Sequence, residues 1–205
     1  MLNTNSARAV AACRTLAEQG DAAAEFKLGA MYNFDEGVLQ DYVRAGIWYR
    51  KAADQGVAGA QYNLGIMYDT GQGVTQDHAK ALTLYRAAAE QGMAAAQYNL
   101  ALSYAHGTGV QQDNRVAAAW YRRAAEQGFA AGQLNLGALY ATGDGVPQDY
   151  VQAYMWYTLA IAAFPPGADH DRADRNRDQI VKKMPPDEIA RAERLIAAWQ
   201  PNAAQ

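Results

Sequence analysis

Apolar residues return every third or fourth position within short stretches of this chain, and the stretches themselves return at a fixed interval. In "DAAAEFKLGAMYN" the residues Ala24, Leu28 and Tyr32 step by four. In "DYVRAGIWYRKAAD" the residues Ala45, Trp48, Tyr49 and Ala52 step by threes and fours. Both are the spacing of a helix that buries one stripe. Small residues at Ala45 and Ala52 let two such helices approach closely, while Leu28, Tyr32 and Tyr49 fill the space around them. Gly29, Gly65 and Gly137 sit in mid-helix, where glycine costs about 1 kcal/mol against alanine, so their recurrence points to a packing reason that Ala101 also meets.

The interval is 36 residues, and it governs most of the chain. Gln-Gly recurs at 19–20, 55–56, 91–92 and 127–128, and leucine recurs at Leu28, Leu64, Leu100 and Leu136. Tyrosine recurs at Tyr32, Tyr68, Tyr104 and Tyr140 and again at Tyr49, Tyr85, Tyr121 and Tyr157. Four copies without insertion are marked out at 17–52, 53–88, 89–124 and 125–160. A self-similar array of helix pairs stacks neighbour on neighbour and needs caps at its ends. Residues 4–19 align with a second helix alone, Ala9 at the Ala45 position and Arg14 at the Arg50 position, so the array starts half a repeat early. At the other end "AFPPGADHD" breaks the register through Pro165 and Pro166. Two more helices are expected at about 168–183 and 186–199, the last with an apolar face of Ile189, Ala192, Ile196 and Trp199.

Between the two helices of each copy lies a loop: "DEGVLQD", "GQGVTQD", "GTGVQQD" and "GDGVPQD". The paired glycines suggest a phosphate cradle, but no Gly-Lys-Ser/Thr follows and an amphipathic helix, not a strand, precedes. A loop that recurs in every copy is better read as a hinge. Gly107 and Gly109 supply left-handed turns, Val110 tucks between helices, and Asp113 caps the second helix.

The string L-G-x-x-Y, then G-x-G-V-x-x-D, then A-x-x-W-Y-x-K-A-A-x-x-G resembles the Sel-1-like repeat family, relatives of tetratricopeptide repeats. The resemblance covers residues 17–160; Asp35 departs from the glycine at Gly71, Gly107 and Gly143, and Leu84 departs from the tryptophan at Trp48, Trp120 and Trp156. It implies an all-α fold, a right-handed α-solenoid of stacked antiparallel helix pairs spanning 1–164, with 165–205 as a C-terminal helical cap. It also implies a non-catalytic adaptor that binds a protein or peptide. A second implication comes from cysteine-rich relatives connected with β-lactam binding or hydrolysis; their paired cysteines are absent here.

Composition narrows the chemistry further. Net charge is −3 with 19% charged residues, which gives no electrostatic footprint for nucleic acid. The single cysteine, Cys13, forms no internal disulfide and reads as a small apolar helix residue. No stretch has the length and apolarity of a membrane span or a signal-peptide core, so no membrane insertion is expected. The chain is expected to be cytoplasmic if Met1 is native, and periplasmic or secreted if an export signal was removed. His78, His106 and His170 lie in three separate contexts, and no Ser pairs with a Lys or His at a fixed spacing, so no metal, cofactor or catalytic residue is assigned.

A binding surface is the remaining candidate. At about 100° per residue, Phe26 is roughly 160° from Leu28, so it is expected to point away from the stripe that meets the second helix. Its equivalents Tyr62, Tyr98 and Leu134 would form a ladder along the concave side of the array. Ala30, Ile66, Leu102 and Ala138 continue it, then Asn33, Asp69, Ala105 and Ala141. The flanking Gln61, Gln97 and Gln133, with Asn63, Asn99 and Asn135, would offer amides to a partner's backbone. The alternative is that Phe26, Tyr62 and Tyr98 are wedged between neighbouring first helices; tyrosine satisfies both by burying its ring and keeping its hydroxyl wet.

Overall fold

The computed structural model describes residues 4–202, with side chains from Val10 onward; Met1 and the side chain of Ala9, on which two of the expectations above rest, lie outside what it describes. The described residues are all helical, with eleven α-helices and no strand. The chain divides at Gln91 into two compact units, Met1–Gln91 and Gly92–Gln205.

The first unit holds α1 (Thr4–Glu18), α2 (Ala22–Phe34), α3 (Tyr42–Asp54), α4 (Ala58–Thr70) and α5 (His78–Glu90). Each helix packs on the next, so α2 and α4 are each held between two others. Second helices begin on aspartate: the carboxylates of Asp41 and Asp77 accept the backbone N–H of Arg44 and Lys80 at 2.9 and 3.0 Å. These bonds satisfy N–H groups that the first helical turn leaves without partners. Before each cap the chain is tied back, with the Asp41 and Asp77 N–H groups donating to the Tyr32 and Tyr68 carbonyls. The loop glutamines Gln40 and Gln76 donate to the carbonyls of Asn33 and Asp69 at 2.8 and 2.7 Å.

The mid-helix glycines have a direct cause. A Cβ on Gly29 would lie 2.6 Å from the Tyr49 ring, and one on Gly65 would lie 2.8 Å from the Tyr85 ring. Tyr49 and Tyr85 are almost wholly buried, so the ring of the second helix lies flat against the bare backbone of the first. Gly73 is constrained differently: its φ is +72°, and a methyl there would overlap the carbonyl of Tyr42 on the preceding second helix. Val74 beside it reaches Gly46 of α3, so the loop does pack inward as expected of its valine.

The second unit repeats this plan with α6 (Ala94–His106), α7 (Asn114–Glu126), α8 (Ala130–Thr142) and α9 (Tyr150–Ala163), followed by α10 (Ala168–Val181) and α11 (Pro186–Ala198). Asp113 accepts from Arg115 and Val116, and Asp149 from Gln152. Gly107 ends α6 with φ 71°, and Gly109 has the same value, the left-handed turns that the loop sequence predicts. α10 packs on α9 and touches α8, while α11 packs on α9. The Asn176 amide of α10 lies beside the buried Tyr157 phenol, as that of Asn135 of α8 lies beside Tyr121 and, in the first unit, that of Asn63 of α4 beside Tyr49. α10 therefore occupies the place of one more first helix.

Arginine–tyrosine pairs join successive helix pairs in both units. Arg14 and Arg50 donate to the hydroxyls of Tyr32 and Tyr68 at 3.0 and 2.7 Å, and Arg122 donates to Tyr140. Arg14 on α1 thus plays the part that Arg50 plays on the second helix α3.

Candidate partner-binding surface

In the first unit the proposed ladder begins with Phe26 and Tyr62, both half-buried. Their orientation corrects the helical-wheel expectation. Phe26 lies 5.9 Å from Tyr49 and Tyr62 lies 6.1 Å from Tyr85, centroid to centroid, so each ring packs on the second helix of its own repeat. The physical reason is that a first helix held between two others has two buried stripes. Gly29 and Phe26, three residues apart, share the one that meets the following helix, whereas Leu28 lies on the other. Phe26 also reaches the next first helix, where its Cζ is 2.9 Å from the position a Gly59 Cβ would take. The wedge and the rim are thus the same ring.

One turn on, Ala30 and Ile66 are half-buried, and so are Asn33 and Asp69. The Asp69 carboxylate meets His78 Nδ1 at 2.6 Å, with both side chains about two-fifths exposed. The flanking amides are not free for a partner as expected. Gln61 is buried, its Nε2 donates to the Ala53 carbonyl at 3.4 Å, and its Oε1 accepts from Gln91 at 2.8 Å. Glu25 takes the same place in α2 and accepts from Gln55 at 2.7 Å. The glutamines of the later three Gln-Gly turns, Gln55, Gln91 and Gln127, therefore each clamp a buried polar side chain of the first helix just before them, which satisfies a group that would otherwise destabilise the core.

In the second unit Tyr98 is half-buried between Tyr121 at 5.8 Å and Phe129 at 5.3 Å. Burial pushes its phenol up; Asn135 and the charge of Arg172 act in the opposite direction. Leu102, Ala105, Ala138 and Ala141 remain half-buried. Leu134 is 1% exposed, in a cluster with Ala173 and Ile180 of α10, so it offers no surface to a partner. Gln133 is likewise internal, donating to the Ala125 carbonyl at 3.2 Å, and Gln97 accepts from Gln127 at 2.8 Å.

Burial raises the Cys13 thiol, the reverse of what thiolate chemistry needs, and its S–H points at the Ala24 carbonyl. No group of three or more His, Cys, Asp or Glu side chains converges among the described residues.

The Sel1 repeat family model matches at 22–57, 58–93, 94–129 and 130–163. This chain belongs to the Sel1 repeat family. The family frame opens each Sel1 repeat on its first helix, so its repeats start five residues after those marked out by identical letters. Among solved structures, a Sel1 repeat protein from Oxalobacter formigenes is 38% identical with a TM-score of 0.75, covering 85% of this chain and 50% of that one. The protein c5321, a protective antigen present in uropathogenic Escherichia coli strains and displaying an SLR fold, is 29% identical with a TM-score of 0.56, covering 95% of this chain and 56% of that one. The fold is therefore the all-α Sel1 solenoid, and the chain spans about half the length of these two proteins. No curated protein matches it. Sel1 repeat proteins commonly serve as protein-interaction scaffolds and are typically non-catalytic. Among the described residues, no helix is long and apolar enough to cross a membrane.

The sequence reading expected a helix at about 168–183 but missed that α10 stands in the place of a first helix. Its signal is present: Ala173 and Asn176 repeat the spacing of Ala60 with Asn63 and Ala96 with Asn99, but 41 residues after Gly132 rather than 36. A five-residue insertion hides it, and so do Arg175 and Arg177 at the registers held elsewhere by the ladder residue and by leucine.

Proposed function

We propose that this Sel1 repeat chain binds a partner protein or peptide through the first-helix face and performs no chemistry itself. In the first unit the surface is Phe26, Ala30 and Asn33 of α2 with Tyr62, Ile66 and Asp69 of α4; in the second it is Tyr98 and Leu102 of α6. The observation that carries this reading is the half-buried state of these rows, where apolar groups stand beside wet polar ones while the neighbouring glutamines are consumed internally. Such a mixed surface suits a peptide or helix that brings both side-chain anchors and backbone groups. Residues 165–205 close the array in this reading, α10 standing as a further first helix and α11 lying on α9.

The test is site-specific photo-crosslinking in the source organism, with the reactive group placed at Ile66, at Leu102, or at the exposed Lys27 as control. The same partner is expected from positions 66 and 102 and none from 27. Crosslinks from the control alone would refute the assignment, as would saturable turnover of a penicillin by the pure protein.

A further inference from the structure

The outer face of α3 carries an apolar row with nothing on it. Leu39, Val43 and Ile47 step by four from the loop into the helix and are 85%, 60% and 50% exposed. Val43 and Ile47, at that spacing within the helix, stand about 5–6 Å apart on one face. Around the helix, Val43 and Ile47 lie about 120–160° from Tyr49, away from the stripe that packs on α2. Single exposed apolar residues are ordinary, whereas a contiguous row marks an interaction surface.

The other repeats show what this register holds. α5 and its loop have Thr75, Ala79 and Thr83; α7 has Gln111, Arg115 and Ala119; α9 has Pro147, Val151 and Met155. Val151 and Met155 are apolar like their counterparts on α3, but they are 5% and 8% exposed. They are covered because α11 lies on α9: Leu195, Ile196 and Trp199 join the cluster of Met155 and Trp156, and Ile189 and Leu195 join that of Val151. Trp48 stands on α3 where Trp156 stands on α9. The first repeat therefore repeats the seat that the last repeat gives to a helix.

We infer that the outer face of α3 is a docking seat for an amphipathic helix from a partner protein, of the α11 kind but acidic along one edge. The acidic edge follows from the seat. α9 has Leu159 in the cluster beneath α11, whereas α3 has Lys51 there, its Nζ 4.3 Å from the Trp48 ring centre. Arg50 is also exposed on α3, as is Arg44, which pairs with the N-cap Asp41 at 3.2 Å; Asp54 is the one acid among the helix's own residues. The seat is separate from the first-helix face, so Ile66→Ala leaves it intact.

The probe is a fluorescein-labelled peptide of residues 185–201 carrying Arg191→Glu and Arg194→Glu, titrated by anisotropy against the full chain. Saturable one-to-one binding is expected, weaker when the native arginines are kept. Val43→Ala with Ile47→Thr gives α3 the residues that α5 already uses, so folding is preserved, and binding is expected to fall at least tenfold with an unchanged circular dichroism spectrum. Leu39→Thr, in the loop, is expected to weaken it as well. No saturation up to ~1 mM overturns the proposal. So does equal binding by the double variant, which would put the peptide on another face or in place of α11. Tighter binding of the arginine peptide overturns the acidic edge.

Discussion

Replacing Tyr49 by phenylalanine should leave the protein no less stable at neutral pH and make it more stable in alkali. Tyr49 is wholly buried, its ring against Gly29 and its hydroxyl beside Asn63. Burial pushes its phenol up to about 12, with the Asn63 amide acting in the opposite direction. In the unfolded chain the phenol ionises near pH 10. The folded state therefore holds the proton more tightly, and its stabilising contribution is complete below pH 10 and lost as pH rises through 12. Two pK units at 1.36 kcal/mol each amount to about 2.7 kcal/mol. Phenylalanine has nothing to ionise, so the variant is spared that loss, and because the buried Tyr49 hydroxyl has no hydrogen-bond partner among the described residues its removal forfeits no such bond at pH 7. Relative to its value at pH 8, the variant's advantage should reach about 1 kcal/mol near pH 10.7, where the wild type has lost that much. The assay is guanidinium denaturation followed by far-ultraviolet circular dichroism from pH 8 to about 11.5, taken as the difference between variant and wild type so that lysines and other tyrosines cancel. A difference that stays constant to about 0.3 kcal/mol across that range would refute the reasoning.

Tyr157→Phe in the second unit should behave alike, because burial also pushes that phenol up to about 12. Gly73→Ala should cost clearly more than Gly56→Ala: both have positive φ, but only at Gly73 does the new methyl meet a carbonyl, and chemical denaturation compares them. Asp113→Ala should lose about 0.5–2 kcal/mol, because its carboxylate accepts two N–H groups of the first turn of α7. Tyr85→Ala should cost about 3–5 kcal/mol as a deleted core aromatic. Tyr68→Ala should cost less than half of that, since Tyr68 is half-buried and its hydroxyl serves Arg50 at the surface; equal losses would show that the first-helix tyrosines are core after all.

That last contrast shows where sequence reasoning reached its limit. The 36-residue period displayed the helix pairs, the aspartate caps and the hinge loops, because each repeat sets the same residue in the same surroundings and so keeps the same letter. A repeated letter says that a position is constrained without saying by which neighbour. Tyr32 and Tyr49 recur with equal regularity, yet Tyr49 is sealed under the helix pair and the tyrosines at the Tyr32 register mostly sit at a rim. A first helix held on two sides defeats a single-stripe reading, so Phe26 was aimed at solvent when it packs on Tyr49 and spans to Gly59. The glutamines were misjudged for a related reason. Their partners lie eight and thirty positions away along the chain, across turns that no local pattern describes.

The repeats therefore serve as an alignment of the protein with itself, in which agreement reports packing and disagreement reports use. Tyr49, Tyr85, Tyr121 and Tyr157 agree and are buried. At the ladder register the residues run Phe26, Tyr62, Tyr98 and Leu134; at the outer register they run Ile47, Thr83, Ala119 and Met155. Stacking tolerates all of these, so stacking does not select among them. At the outer register the structure explains one choice, because Met155 lies under α11 and an apolar residue is needed there. The same demand explains Ile47 if a helix covers it, and an uncovered surface would leave Ile47 as the costlier choice beside the Thr83 and Ala119 that the neighbouring repeats use.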